Sequence, residues 1–277
     1  MTKKITRSLL VVFAVLLAFY LLLPVLVIVP MSFSESAFLA FPPEGFTLRW
    51  FDRLINDWSW VSSAINSLIV ALLSMVCSVV LGTLAALAIT RGRMPFRGGV
   101  MAILLSPIIV PFVVVALAIY ITFLPLGLTQ TILGFVLIHT ALGVPYVMIN
   151  VVASLSSVDR RLEMAAMNLG SNGIGTFFRI TLPVIMPGIL AGALFAFITS
   201  WDEVVVAIFL SGTELTTLPV RMWSGIRVQV DPMIAAVSTI SLFIIVAAFL
   251  SNGLARLLTR KRTKRPSAIA KQKAEQP

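Results

Sequence analysis

Six long apolar runs, at about residues 8–30, 64–90, 100–124, 131–154, 184–210 and 233–255, constrain this chain more than any other feature. Each can cross a hydrocarbon core of about 30 Å, which takes roughly 20 helical residues. In lipid the backbone must pair its own N–H and C=O groups, so runs of this length are expected as helices. Composition agrees: 59% of the residues are hydrophobic and 12% are charged, where soluble domains carry about 25% charged residues. The expected fold is an all-α integral membrane protein with six transmembrane helices. The first run follows Lys3, Lys4 and Arg7, as a signal peptide would. It is too long for an h-region and no small-residue cleavage site follows it, so it is expected to stay as the first helix.

Lysine and arginine sort by loop. The N-terminus, the 91–99 loop, the 155–183 loop and the C-terminal tail hold 17 of the 21, and the other set of loops holds 4. That asymmetry puts both termini in the cytoplasm. The net charge of +10 has this topological cause, and nucleic-acid binding is not needed to explain it. The tail RKRTKRPSAIAKQKAEQP from Arg260 is a basic, solvated end suited to anionic lipid headgroups. The external segment 31–63 has turn signals at Pro42, Pro43 and Gly45. Its aromatics Trp50, Phe51, Trp58 and Trp60 suit a membrane-interface belt, with a short helix expected from Leu48 to Leu54.

The single cysteine, Cys77, allows no disulfide within the chain and no cysteine metal cluster. The single histidine, His139, lies in an apolar run. It reads either as a polar group that hydrogen-bonds across a helix pair or as part of a proton relay. No G-x-x-x-x-G-K-[ST] phosphate loop and no H-E-x-x-H metal motif occurs, so neither ATP hydrolysis nor zinc chemistry is expected of these residues.

The 155–183 segment, LSSVDRRLEMAAMNLGSNGIGTFFRITLP, is the most informative. Ser156 with Asp159 reads as a helix start. Leu162, Ala165, Ala166 and Leu169 then form a narrow apolar stripe, and Gly170 stops the helix. A second short helix is expected from Ser171 or Asn172, ended by Leu182–Pro183. Ala165 and Ala166 offer little area to a bilayer and suit the close approach of another protein. Lying on lipid as a plain connector is the alternative.

The spacing Ala165–Ala166, Gly170, Ile180-x-Leu182-Pro183 resembles the EAA loop of type I ABC-importer permeases. The family's glutamate position holds Met164 here, with Glu163 one residue earlier, which leaves steric docking in place. FLAFPPEGFTLRWF, LLSPIIVPFVVV, ALFAFITSWDEVVVAIFLSG and TLPVRMWSGIR extend the likeness, specifically to the second permease of spermidine/putrescine importers. The resemblance implies a first helix and external loop over 1–63, a five-helix type-1 transmembrane domain over 64–255 with its EAA-like loop at 159–183, and a cytoplasmic tail over 256–277. It implies an ATPase-docking surface at Glu163, Ala165, Ala166, Gly170, Ile180, Leu182 and Pro183. The implied partners are a second homologous permease, a cytoplasmic ATPase dimer that uses the ATP, and a periplasmic or tethered solute-binding protein. The implied location is a bacterial inner membrane, and no cofactor of this chain's own is implied. The cargo would be a polyamine, or another small solute such as an aminophosphonate or an opine-type compound.

Asp202 and Glu203 stand together in the fifth run. A charged side chain near the centre of a spanning helix costs about 2.5–3.5 kcal/mol on insertion scales. Fifteen residues separate Pro187 from Asp202, about 22 Å of helix, which puts the acids in the outer part of the bilayer. The pair can cap a helix that breaks near Ser200, or Glu203 can pair with a base on another helix. The functional reading is a cation filter: Thr199 and Asp202 share a face, Trp201 adds an aromatic surface, and ammonium groups suit that combination. A self-sufficient secondary carrier or a membrane scaffold are the competing classes. The first does not need a glycine-hinged docking loop, and the second leaves Asp202 and Glu203 unexplained.

Overall fold

The computed structural model describes residues 2–38, 41–92, 95–228 and 232–263. The helices are α1 (Thr2–Met31), α2 (Arg49–Asn56), α3 (Trp58–Arg91), α4 (Arg97–Ile109), α5 (Phe112–Phe123), α6 (Ile132–Leu155), α7 (Arg160–Asn168), α8 (Gly173–Thr176), α9 (Leu182–Trp201), α10 (Val205–Leu210), α11 (Leu218–Val228) and α12 (Met233–Thr263). No strand occurs among the described residues. The expected basic tail lies outside them beyond Thr263. Five helical segments are long and apolar enough to cross a membrane, and the α4–α5 pair makes up a sixth.

Three expectations are corrected. The run 100–124 is two helices bent by 102° at a short break, because Pro111 lacks a donor and drives Val110 to an extended ψ of 133°. The run 184–210 breaks after Trp201 and restarts at Val205. Leu182–Pro183 does not end a helix. A π-helical turn, Phe177–Thr181, joins α8 to α9, and Leu182 N–H reaches back five residues to the Phe177 carbonyl. Pro183 follows directly as the second residue of α9, without interrupting the helical segment.

The chain divides into two compact units, one comprising Met1–Ser62 with Arg221–Ile244 and the other Ser63–Val220 with Ile245 onward. In the second, α6 and α9 pack through a ridge of small residues on α9 at four-residue steps, Gly188, Gly192 and Ala196. A Cβ on Gly192 would lie 2.6 Å from Val147 Cα, and one on Gly188 would lie 2.7 Å from the Asn150 carbonyl. Small residues of this kind let helix backbones meet where lipid supplies no hydrophobic drive. From α3, a Cβ on Gly82 would lie 2.7 Å from Val147 Cβ, and buried Ser78 donates to the Thr140 carbonyl at 3.2 Å. Two apolar clusters flank these contacts. Val70, Ala116, Phe135, Ile138, Val206 and Leu210 make one; Ala86, Val147, Met148, Val151 and Ile185 belong to the other.

In the first unit, α2 packs through Trp50, whose indole N–H donates to the Ser34 carbonyl at 2.7 Å beneath the Arg49 guanidinium. Arg221 donates to Ser59 and lies over the Trp60 ring. Ser59 also donates to Asp57 and holds that carboxyl below the usual carboxylate range. The expected aromatic belt is thus reduced. Trp50 and Trp60 are buried, Phe51 packs on Phe33, and Trp58 is 74% exposed.

The α6–α9 contact makes a direct prediction. Gly192→Val should overpack the Val147 backbone and cost about 1–3 kcal/mol or more, read as a lower melting temperature in detergent. Gly98→Ala, with nothing within 4 Å of the new Cβ, should leave the melt unchanged.

Candidate functional site

Two places gather the residues singled out by the sequence. The first is the loop between α6 and α9. Asp159 caps α7 by accepting the Arg161 N–H at 2.9 Å, and Asn172 caps α8 by accepting the Gly175 N–H at 2.7 Å. Gly170 takes a φ of +91°, which a side chain would strain. Around it the Gly170 N–H donates to the Met167 carbonyl at 3.0 Å and the Ser171 N–H to the Ala166 carbonyl at 3.1 Å. Those two bonds form the paired closure that satisfies a helix C-terminus. Ala165 is exposed and Ala166 half-buried, while Leu162 (55%), Met164 (45%) and Leu169 (89%) present apolar surface outward. Ala166, Gly170 and Ile180 line one open hollow of about 340 Å³ together with Leu169, Ser171 and Arg179. Leu182 lies half-buried and Pro183 exposed at the start of α9.

Glu163 departs from the expected docking set. Its carboxyl turns inward, accepting a hydrogen bond from Thr181 Oγ1 at 2.9 Å and lying 3.1 Å from Arg91 Nε. Arg91 and Thr181 carry no sequence signal of their own: an arginine closing a span and a threonine in an apolar loop are both ordinary.

The second place is the break after α9. Glu203 is 5% exposed, and its two oxygens accept the Val206 and Ala207 N–H groups, each at 2.8 Å. It therefore caps α10. A carboxyl held at both oxygens by backbone is not free to line a path, which corrects its expected role. His139 Nε2 lies 4.0 Å from it, and His139 Nδ1 meets Ser200 Oγ at 2.7 Å. The histidine is thus the polar link between α6 and α9. Trp201 is 4% exposed and stacks on Phe197 with centroids 6.0 Å apart. Its ring is closed off inside the chain, so the expected aromatic surface for a cation is corrected as well. Asp202 is exposed and Thr199 half-buried. No group of three metal-ligating side chains occurs among the described residues.

The chain matches the family described as "binding-protein-dependent transport system inner membrane component" over residues 78–264. It belongs to that family. It is 34% identical over 230 residues to the "Putrescine transport system permease protein PotI" of Escherichia coli strain K12, covering 80% of this chain and 82% of that one. It is 29% identical over 242 residues to the "Spermidine/putrescine transport system permease protein PotC" of Haemophilus influenzae, covering 87% and 93%. Its fold is similar to that in the crystal structure of a bacterial ABC transporter that imports alginate, with a TM-score of 0.73 at 16% identity over 91% of this chain and 96% of that one. This is a multi-pass membrane protein and a permease subunit of an ABC importer, and its relatives are transport subunits rather than enzymes.

The two acids should separate experimentally. Glu203→Gln turns an amide N–H toward backbone donors and should cost about 1–3 kcal/mol, lowering the melting temperature in detergent. Asp202→Asn, at an exposed position, should leave that melt within error of the original.

Proposed function

We propose that this chain forms half of a translocation pathway for a small cationic solute, putrescine or spermidine, with Asp202 as the carboxylate that the cation meets. The observation that carries this reading is the exposed Asp202 at the break between α9 and α10, beside half-buried Thr199. Its neighbour Glu203 is consumed by the backbone, which leaves Asp202 as the acid available at that break. An ammonium group offsets the cost of holding a carboxylate within a membrane protein. The names of the PotI and PotC relatives support a polyamine as cargo.

A second homologous permease completes the pathway in this reading. Two cytoplasmic ATPase subunits hydrolyse the ATP, and a periplasmic or tethered binding protein delivers the solute. Both termini face the cytoplasm, as the lysine and arginine distribution favours. The α7 loop then projects toward the ATPase, and the outward apolar side chains of α7 with the Ala166–Gly170–Ile180 hollow form the docking surface.

Two variants test the two halves of the proposal. Asp202→Asn should lower uptake of labelled putrescine by about 10- to 150-fold, the size of a lost charge-assisted contact of about 1.5–3 kcal/mol, with expression and ATPase co-purification retained. Wild-type uptake would remove Asp202 from the path and leave the cargo resting on the relatives alone. Gly170→Val forces a β-branched residue into positive φ. It should insert normally yet lose ATPase co-purification or uptake; normal values of both would take the loop out of the mechanism.

A further inference from the structure

We propose that Arg91, Glu163 and Thr181 form a clamp that sets the orientation of α7, making Arg91 and Thr181 positioning residues for coupling. The inference rests on the reading of the loop as a docking surface. Arg91 is the last residue of α3, Glu163 lies in the first turn of α7, and Thr181 closes the π-helical turn that opens α9. Arg91 Nε lies 3.1 Å from Glu163 Oε2, and its Nη2 donates to Glu163 Oε1 at 3.4 Å and to the Val158 carbonyl at 3.1 Å. Thr181 Oγ1 donates to Glu163 Oε1 at 2.9 Å, and Thr181 itself is 3% exposed. One carboxyl thus ties together three elements, and Arg91 adds the turn that precedes α7.

The rest of α7 explains why this tie matters. The helix buries no side chain at all, and Glu163 and Ala166 are its only half-buried positions. Leu162 and Met164 are 55% and 45% exposed, and Met167, though it lines an open hollow with Glu163, Phe177 and Thr181, is still 46% exposed. Apolar packing therefore does not seat α7, and the inward attachment falls to Glu163. The side chains of Arg91 and Glu163 are 24% and 12% exposed, so solvent screens the pair less than it would a surface pair. A load applied to α7 passes through this carboxyl to α3 and to α9 together. The acid one residue before the motif position, in place of Met164, gives the loop an internal anchor.

The test is a double-mutant cycle read by proteolysis, co-purification and uptake in the full transporter. Inside-out membrane vesicles are treated with trypsin, and cleavage at Arg160 and Arg161 is timed. Arg91→Gln and Glu163→Gln should each speed cleavage about 5-fold, the ratio for roughly 1 kcal/mol. The effects should combine less than additively in the double variant, because the contact the two residues share can be broken only once. Uptake of labelled putrescine should fall in all three, and Arg91→Lys, which keeps the charge without the fork, should recover part of it. Unchanged cleavage in both single variants, or effects that add, would overturn the clamp. Faster cleavage with wild-type uptake would reduce it to a structural pair and overturn its role in coupling. If the unmodified chain brings down no ATPase while the cleavage cycle behaves as expected, the docking reading falls and the clamp stands.

Discussion

The approach of α9 onto the backbone of α6 is the constraint on which the second unit depends. Apolar side chains gain nothing by leaving lipid for one another, so helices in a membrane hold together by dense packing and by polar contacts between them. Gly188 and Gly192 supply the first, with the Gly192 Cα close enough to Val147 that a single added carbon would collide. Continuing the same four-residue rhythm, Ala196 leads to Ser200, which meets His139 at 2.7 Å and supplies the second. Were α9 held farther out by larger residues, the histidine and serine would not meet. Glu203 would then cap α10 without a polar neighbour on α6.

That contact also makes the break after Trp201 tolerable. A helix interrupted in a membrane protein exposes backbone N–H groups that cost several kcal/mol each if left unpaired. Glu203 takes two of them, those of Val206 and Ala207, and α10 packs its buried Val206, Ala207 and Leu210 with Ala116 of α5 in one apolar cluster. Two adjacent acids therefore do different work. One repairs the backbone of a broken helix, while the other stands exposed at the gap that the repair makes possible.

At the opposite end of the same span the chain is continuous where a stop was expected. From Gly173 through the π-helical turn to Trp201 runs a single helical segment of 29 residues. The loop that carries Gly170 and the break that carries Asp202 are consequently the two ends of one rod. A widened turn at its base accommodates Pro183 without interrupting it, since the i→i+5 bond needs no donor from the proline. Gly170 and Asp202 are thus joined through one continuous helical segment rather than through separate elements.

The amino-acid sequence by itself determined the number of apolar runs, their helical character, the presence of the α7 helix and the left-handed turn at Gly170. Each follows from local rules: run length against bilayer thickness, the cap chemistry of a short polar side chain, and the freedom of a residue without Cβ. The expected start at Ser156 is corrected, since Ser156 closes α6 and Asp159 caps α7. It also pointed to Asp202 and Glu203 as the residues needing explanation. Only the tertiary structure decided which acid faces outward, because the break that turns them apart depends on how α9 packs and how α10 restarts. Trp201 and Trp50 likewise changed from surface aromatics to interior ones, since burial is a property of neighbours that composition does not name. The inward turn of Glu163 was illegible for the same reason. Its partners lie 72 residues before it and 18 after it, and no local pattern marks an arginine or a threonine as the other end of a carboxyl's bond.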